Sequence, residues 1–261
     1  MKYNKKLYII AAGLASRMGG YPKHICEIDA NGTTNIEHTL SLASTYYKDI
    51  VVVLNDKLES KYVSKTLEAI KKYNAKLKFI DSGKGDGHAV YEAIKDEKDN
   101  KEVICIWGDT YFSDSSIFEL SLHSNLLTVV CSQEISPYCY INVSGSKDSD
   151  TYISSMYFKS DYPVEYDKKY LHDQSTFAIN VDKFKKYFSE YMNYCDYITK
   201  TFVKSKGIEY SIIKFANWVV QIKKGISPKA FVLPERESYQ YTISFNTKEE
   251  LQKAIDLHKT L

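Results

Sequence analysis

The sequence predicts an α/β fold, a Rossmann-like three-layer α/β/α arrangement on a mostly parallel sheet, carrying a mixed-sheet extension. Three observations lead there. Short apolar runs alternate with helical periodicity through the first half, the pattern of successive βαβ units. Two Gly-bearing loops, at residues 13–20 and 83–87, lie just beyond strand-like runs, where parallel strands end and ligand crevices form. After Leu126 the pattern changes to strand-like stretches joined by polar turns.

Residues 7–11, 50–54, 77–80 and 103–107 read as buried strands. Thr34 and Glu37 form a capping box that opens a helix to about Tyr47, and residues 58–73 carry apolar side chains at helical spacing. A third helix follows Gly87. In the second half, strand patterns cover residues 126–131, 138–143, 152–158 and 176–181. Helical periodicity returns at residues 182–205 and 210–224, where Gly225 marks a stop. A short strand near Phe231 precedes a second capping box, Thr247 with Glu250, and a closing helix over residues 248–259. With no repeat, linker or low-complexity tract, one domain over residues 1–261 is the economical organisation, in halves 1–125 and 126–261.

Bulk properties exclude several classes. A net charge of +2 from 35 basic and 33 acidic residues implies no general affinity for nucleic acid. No segment approaches the ~20 apolar residues that span a membrane. Lys2, Lys5 and Lys6 before residues 7–12 imitate a secretory leader, but Arg17, Lys23 and the glycines cut the apolar run short. The five cysteines are odd in number, widely spaced and form no C-x-x-C pair, which reads as reduced thiols of a cytoplasmic protein.

The stretch from Tyr8 to Lys23 is the most informative. A strand runs into a loop of small residues, Ala11, Ala12, Gly13, Ala15, Ser16 and Gly19, that lets backbone N–H groups approach phosphate oxygens. Arg17 offers a planar fork and Lys23 a mobile point charge, while Pro22 fixes the chain direction before Lys23. A Walker A loop is excluded, because Gly13 and Gly19 are one residue too far apart and no Lys follows directly. Asp109 ends the apolar run at 103–107 as part of a Gly-Asp pair, where a carboxylate can hold Mg²⁺ beside phosphates; the alternative is a turn residue.

Together, A-A-G-x-x-S-R-M-G with Pro-Lys resembles the signature of the sugar-phosphate nucleotidyltransferase superfamily, whose members include sugar-1-phosphate uridylyl- and thymidylyltransferases and phosphocholine cytidylyltransferase. The resemblance implies that Arg17 and Lys23 contact the triphosphate catalytically and that Asp109 holds the metal. Gly85-Asp86-Gly87-His88-Ala89-Val90 resembles the family's G-T-G-H-A-M base loop. Asp86 replaces a hydroxyl residue there and, accepting from an exocyclic amine, tilts the expectation to CTP over UTP; it could equally cap the following helix. His88 reads as a packed residue rather than a base. Residues 244–251 resemble the D-T-P-E-D-L ending of cytidylyltransferases, which puts Asn246 at the second metal position, with Ser244 as fallback and a helix cap as the competing role.

The expected reaction moves a nucleoside monophosphate from a triphosphate to a phosphorylated small metabolite, with Mg²⁺ as cofactor and pyrophosphate as product, as in precursor synthesis for cell-surface polysaccharide. Tyr138-Cys139-Tyr140 and Tyr157-Phe158-Lys159 resemble acceptor stretches of the family, but its glycine and sugar-contacting glutamate are missing. Lys159 and Asn180 are the acceptor candidates, with Asp173 and Asp196 beside them; a small acceptor such as phosphocholine or phosphoglutamine suits this better than a hexose phosphate. A sugar-1-phosphate uridylyl- or thymidylyltransferase, a glycosyltransferase using the Asp148-Ser149-Asp150 triplet, and a non-catalytic nucleotide binder are the alternatives. Assembly as a homodimer stays open.

Overall fold

The computed structural model describes residues 2–13, 18–81, 83–135, 137–144, 151–160, 169–202, 208–223, 225–236 and 240–261. Along the chain run β1 (Tyr3–Ala11), α1 (Asn35–Ala43), β2 (Tyr47–Asn55), α2 (Ser60–Lys72), β3 (Lys76–Ile80), α3 (Asp86–Ile94), β4 (Glu102–Trp107), β5 (Thr110–Phe112), β6 (Leu127–Ile135), β7 (Cys139–Ser144), β8 (Tyr152–Phe158), β9 (Lys169–Asn180), α4 (Val181–Phe202), α5 (Ile212–Ile222), β10 (Lys229–Val232), β11 (Thr242–Ser244) and α6 (Lys248–His258). They divide into two compact units. The first takes Met1–Gly83, Val103–Ser121 and Arg236–Leu261; the second takes Lys84–Glu102 and Leu122–Glu235.

In the first unit the strands lie in the order β3-β2-β1-β4, all parallel. Their apolar runs are buried, with Leu7, Ile9, Val52, Val53, Val103 and Ile106 fully inside, as a parallel sheet covered on both faces demands. Thr34 caps α1 by accepting the Glu37 N–H at 3.3 Å, but the Glu37 carboxylate pairs with Lys72 at 2.7 Å. The helix stops at Ala43 rather than near Tyr47. Tyr47 is buried and opposite Tyr3 in the β1–β2 register, so strand pairing overrides the continuing helical pattern. A two-stranded antiparallel pair, β5 with β11, lies outside the sequence expectation, because three residues on each side carry no readable period. At α6 the capping box is complete in both directions.

The second unit holds a mixed sheet, β9-β6-β10-β8-β7, with β7 also paired to β9. Among the described residues of this unit, β10 pairs with β6 in parallel and the other pairs are antiparallel. β9 begins at Lys169, well before the expected start at residue 176. Its first five residues are exposed or half-buried and mostly polar, so hydropathy does not mark them. α4 and α5 pack through an aromatic cluster, with Phe184, Phe188 and Phe215 fully buried and ring centroids 5.1 to 5.2 Å apart. All five cysteines are free thiols. Among the described residues no helix is long and apolar enough to cross a membrane.

Candidate active site

The first unit gathers three of the candidate side chains. Lys23 Nζ donates to Asp109 Oδ2 at 2.7 Å and to Asn246 Oδ1 at 2.8 Å. The Lys23 side chain is 13% exposed and that of Asp109 40%, so the ammonium is enclosed while the carboxylate faces solvent.

Each partner is set by local structure. Pro22, with φ −67°, precedes the 3-10 turn Lys23–Ile25. His24 is buried beneath it, its Nε2 2.9 Å from Thr66 Oγ1 on α2. Thr66 gives its own proton to the Tyr62 carbonyl at 3.0 Å, so toward His24 it is the acceptor and the ring proton sits on Nε2. Burial pushes His24 down to about 4; the ring is a neutral anchor, not a base. Asp109 follows Gly108, whose N–H bonds the Ile10 carbonyl at 2.9 Å. A Cβ at position 108 would stand 2.7 Å from Ala11 Cβ, so glycine is what lets this loop lie on the end of β1. Asn246 follows β11. The antiparallel register, Ser244 opposite Thr110, brings Asp109 and Asn246 to the same end of the strand pair. Glu250 Oε2 then fixes the Asn246 N–H at 2.5 Å. Below these residues Cys26, Ile28, Tyr111, Phe245 and Ala254 form one apolar cluster.

Other candidates of this unit fall as follows. Ala11 ends β1, Ala12 is buried and Gly13 is exposed, with nothing within 4 Å of where a Cβ would stand. Ala15, Ser16 and Arg17 lie outside the described residues, as does the Asp148–Asp150 triplet. Ser244, the fallback ligand, has its hydroxyl 3.0 Å from that of Thr110, whereas the Asn246 oxygen is the one that meets Lys23.

In the second unit the Gly85–Gly87 stretch is tightly built. Gly85 has φ +102°, and a Cβ there would come within 2.8 Å of Glu209 and Tyr210; one at Gly87 would meet Ile212 and Phe188 at 2.8 Å. Helix α3 starts at Asp86 itself. Asp86 Oδ1 accepts the N–H of Gly87 at 2.6 Å and that of Ile212, the first residue of α5, at 2.9 Å. His88 is buried, with its ring stacked 6.0 Å from Tyr210. Burial pushes the Asp86 carboxyl up to about 6, against those two N–H bonds, which lower it. The native state therefore holds this proton more tightly than the unfolded chain, and stability falls as pH rises from about 4 to about 6. Asp86→Asn keeps an acceptor oxygen without the charge. Its thermal midpoint should exceed that of wild type by a margin that widens across this window and is flat above it, measured by unfolding at pH 5 and pH 8.

Asn180 Oδ1 accepts the Lys183 N–H at 3.1 Å, the cap of α4. Lys159 is exposed, and its backbone N–H bonds the Tyr138 carbonyl at 2.8 Å. Asp173 lies opposite Cys131 in the β6–β9 register and accepts the Ser175 N–H at 3.1 Å. Asp196 accepts the Tyr210 hydroxyl. Sequence reasoning missed His24 and Asn35, both polar and both buried. Asn35 stands beside Ile36, Leu40 and Ala43 on the buried stripe of α1, and a polar residue at that place in the apolar pattern was the available signal.

Solved structures share this fold. The inositol-1-phosphate CTP transferase from T. maritima superposes with a TM-score of 0.65 at 15% identity, over 99% of this chain and 97% of that one. A nucleoside-diphosphate-sugar pyrophosphorylase from Vibrio cholerae RC9 gives 0.64 at 15% identity, over 96% and 99%, and HddC from Yersinia pseudotuberculosis 0.60 at 18%, over 97% and 98%. No protein of curated function matches the chain in sequence. The fold is that of the nucleotidyltransferases. Residues 7–138, just over half of the chain, match the MobA-like NTP transferase domain, and the chain belongs to that family.

Nucleotidyltransferases of this family typically use a divalent metal. The donor set fits Mg²⁺: one carboxylate and one amide oxygen already converge on a cation, the Lys23 ammonium. Mg²⁺ binds through one or two protein oxygens, keeping the rest of its shell for water and phosphate. Among the described residues there is no group of three or more His, Cys, Asp or Glu that could hold a metal ion.

Proposed function

We propose that this nucleotidyltransferase transfers a nucleoside monophosphate, CMP by preference, from a triphosphate to a phosphorylated small metabolite. The observation that carries the reading is the single ammonium of Lys23 held between Asp109 and Asn246: the cation that would neutralise phosphate and the oxygens that would hold Mg²⁺ are already in one place.

An oxygen of the acceptor phosphate forms the new bond to the α-phosphorus, and the bond from that phosphorus to the β-phosphate oxygen breaks, releasing pyrophosphate. The acceptor is anionic already, so repulsion between anions is the obstacle and proton abstraction is not. Lys23, Arg17 and the amides of the small-residue loop offset the charge that grows on the leaving group. Mg²⁺, held by Asp109 and Asn246, supplies further charge neutralisation when bound. Gly85, Asp86 and Gly87 are assigned to the nucleobase on their sequence resemblance. Asp86 Oδ1 is engaged with backbone N–H groups, which leaves Oδ2 as the atom to accept from the cytosine amine. The CTP transferase of the same fold supports this choice, and Lys159 is assigned to the acceptor phosphate.

Pyrophosphate release tests the reading. With Mg²⁺ and a pool of phosphorylated metabolites, release should be fastest with CTP. Preference for UTP or dTTP with a hexose-1-phosphate would replace the CMP assignment with sugar activation, and no release with any triphosphate would refute transfer.

A further inference from the structure

Asn35 is fully buried at the first turn of α1, and its side chain is directed at backbone. Its Nδ2 donates to the Gly108 carbonyl at 3.2 Å and to the Thr110 carbonyl at 3.1 Å, the two residues that flank Asp109. Both partners are acceptors, so the amide nitrogen must face them, which fixes the orientation of the group. The backbone N–H of the same residue donates to the Cys26 carbonyl at 2.9 Å, and the Cys26 N–H closes the turn onto the Lys23 carbonyl at 3.1 Å. One residue thus ties the strand-end loop of Asp109 to the turn that carries Lys23. Asn35 Oδ1 has no hydrogen-bond partner among the described residues. A buried amide with an unpaired acceptor is costly to keep, and what it contributes here is its two donors.

We infer that Asn35 is a positioning residue: through the carbonyls on either side of Asp109 it holds the carboxylate on the side where Asn246 lies, so that the two oxygens would take the metal once the Lys23 ammonium moves to the triphosphate. The inference rests on the proposed roles of Asp109 and Lys23. Partners that orient a metal ligand without touching the metal carry tenfold to hundredfold effects on affinity or rate, because a carboxylate released from its orientation samples unproductive positions.

The test uses the full chain, with Mn²⁺ as the probe. Asn35→Leu removes both donors at similar volume; Asn35→Ser leaves one hydroxyl donor and guards against a leucine variant that fails to fold. Folding is checked by circular dichroism, Mn²⁺ affinity without nucleotide by electron paramagnetic resonance, and kcat and KM by pyrophosphate release. In folded protein, Asn35→Leu should lose about tenfold or more in both Mn²⁺ affinity and kcat, with KM for the triphosphate near wild type at saturating metal. Asn35→Ser should fall between. If either folded variant binds Mn²⁺ and turns over like wild type, Asn35 only packs and the inference fails. Asp109→Ala separates the two levels: a loss of Mn²⁺ affinity there with none in the Asn35 variants overturns positioning alone, whereas unchanged Mn²⁺ affinity in Asp109→Ala overturns the reading beneath it.

Discussion

Asp109→Ala should lower nucleotidyl transfer by about a thousandfold while leaving the protein folded. On the proposed reading this carboxylate is the one charged protein ligand for Mg²⁺, and the charge stabilisation a bound metal supplies is worth several kcal/mol in the transition state, or about three decades in rate. The fold should tolerate the change. The side chain is 40% exposed and its bond is to Lys23, while the loop itself is held by backbone: Gly108 N–H to Ile10, Phe245 N–H to the Asp109 carbonyl at 3.3 Å, and the Asn35 amide on either side. Steady-state pyrophosphate release and a thermal melt check both halves of the expectation. Turnover within tenfold of wild type, in protein that melts normally, would remove Asp109 from the chemistry.

How far such a site is legible in sequence depends on which forces build it. The parallel strands of the first unit were readable because a sheet buried on both faces needs near-continuous apolar runs, and residues 50–54 or 103–107 have no other use. The Gly-Asp pair was readable for a related reason: Gly108 is required by its approach to Ala11, so a strand ending in glycine and a carboxylate marks a tight corner with a charge on it. Asn246 emerged from a resemblance and from the capping box beside it, a local signal that the structure reproduces. The β5–β11 pair, which brings Asn246 to Asp109, has no local signal, since its six residues are stabilised by each other across more than a hundred positions of chain. Asn35 stayed hidden because its value lies in backbone carbonyls far along the chain. The fold also requires the glycines of the base-loop resemblance, because Glu209 and Tyr210 pack against Gly85, and Ile212 and Phe188 against Gly87.

Lys23→Met should lower turnover as strongly as Asp109→Ala and, in the opposite direction, raise the affinity for Mn²⁺ in nucleotide-free protein. The first effect follows from losing a charge that offsets the leaving pyrophosphate. The second follows from where the ammonium rests. It bonds both proposed metal ligands, at 2.7 and 2.8 Å, so a divalent ion reaching those oxygens must first displace it. A hydrogen bond to a charged group contributes about 1.5–3 kcal/mol net, and abolishing that competition corresponds to about tenfold or more in affinity. Methionine fills a similar volume without a charge, and the apolar cluster below the site should hold the turn in place. A triphosphate would draw the wild-type ammonium onto its own oxygens and leave Asp109 and Asn246 to the metal, so nucleotide and metal should each favour the other's binding. Unchanged Mn²⁺ affinity in Lys23→Met would mean that the ammonium and the metal do not compete for these oxygens.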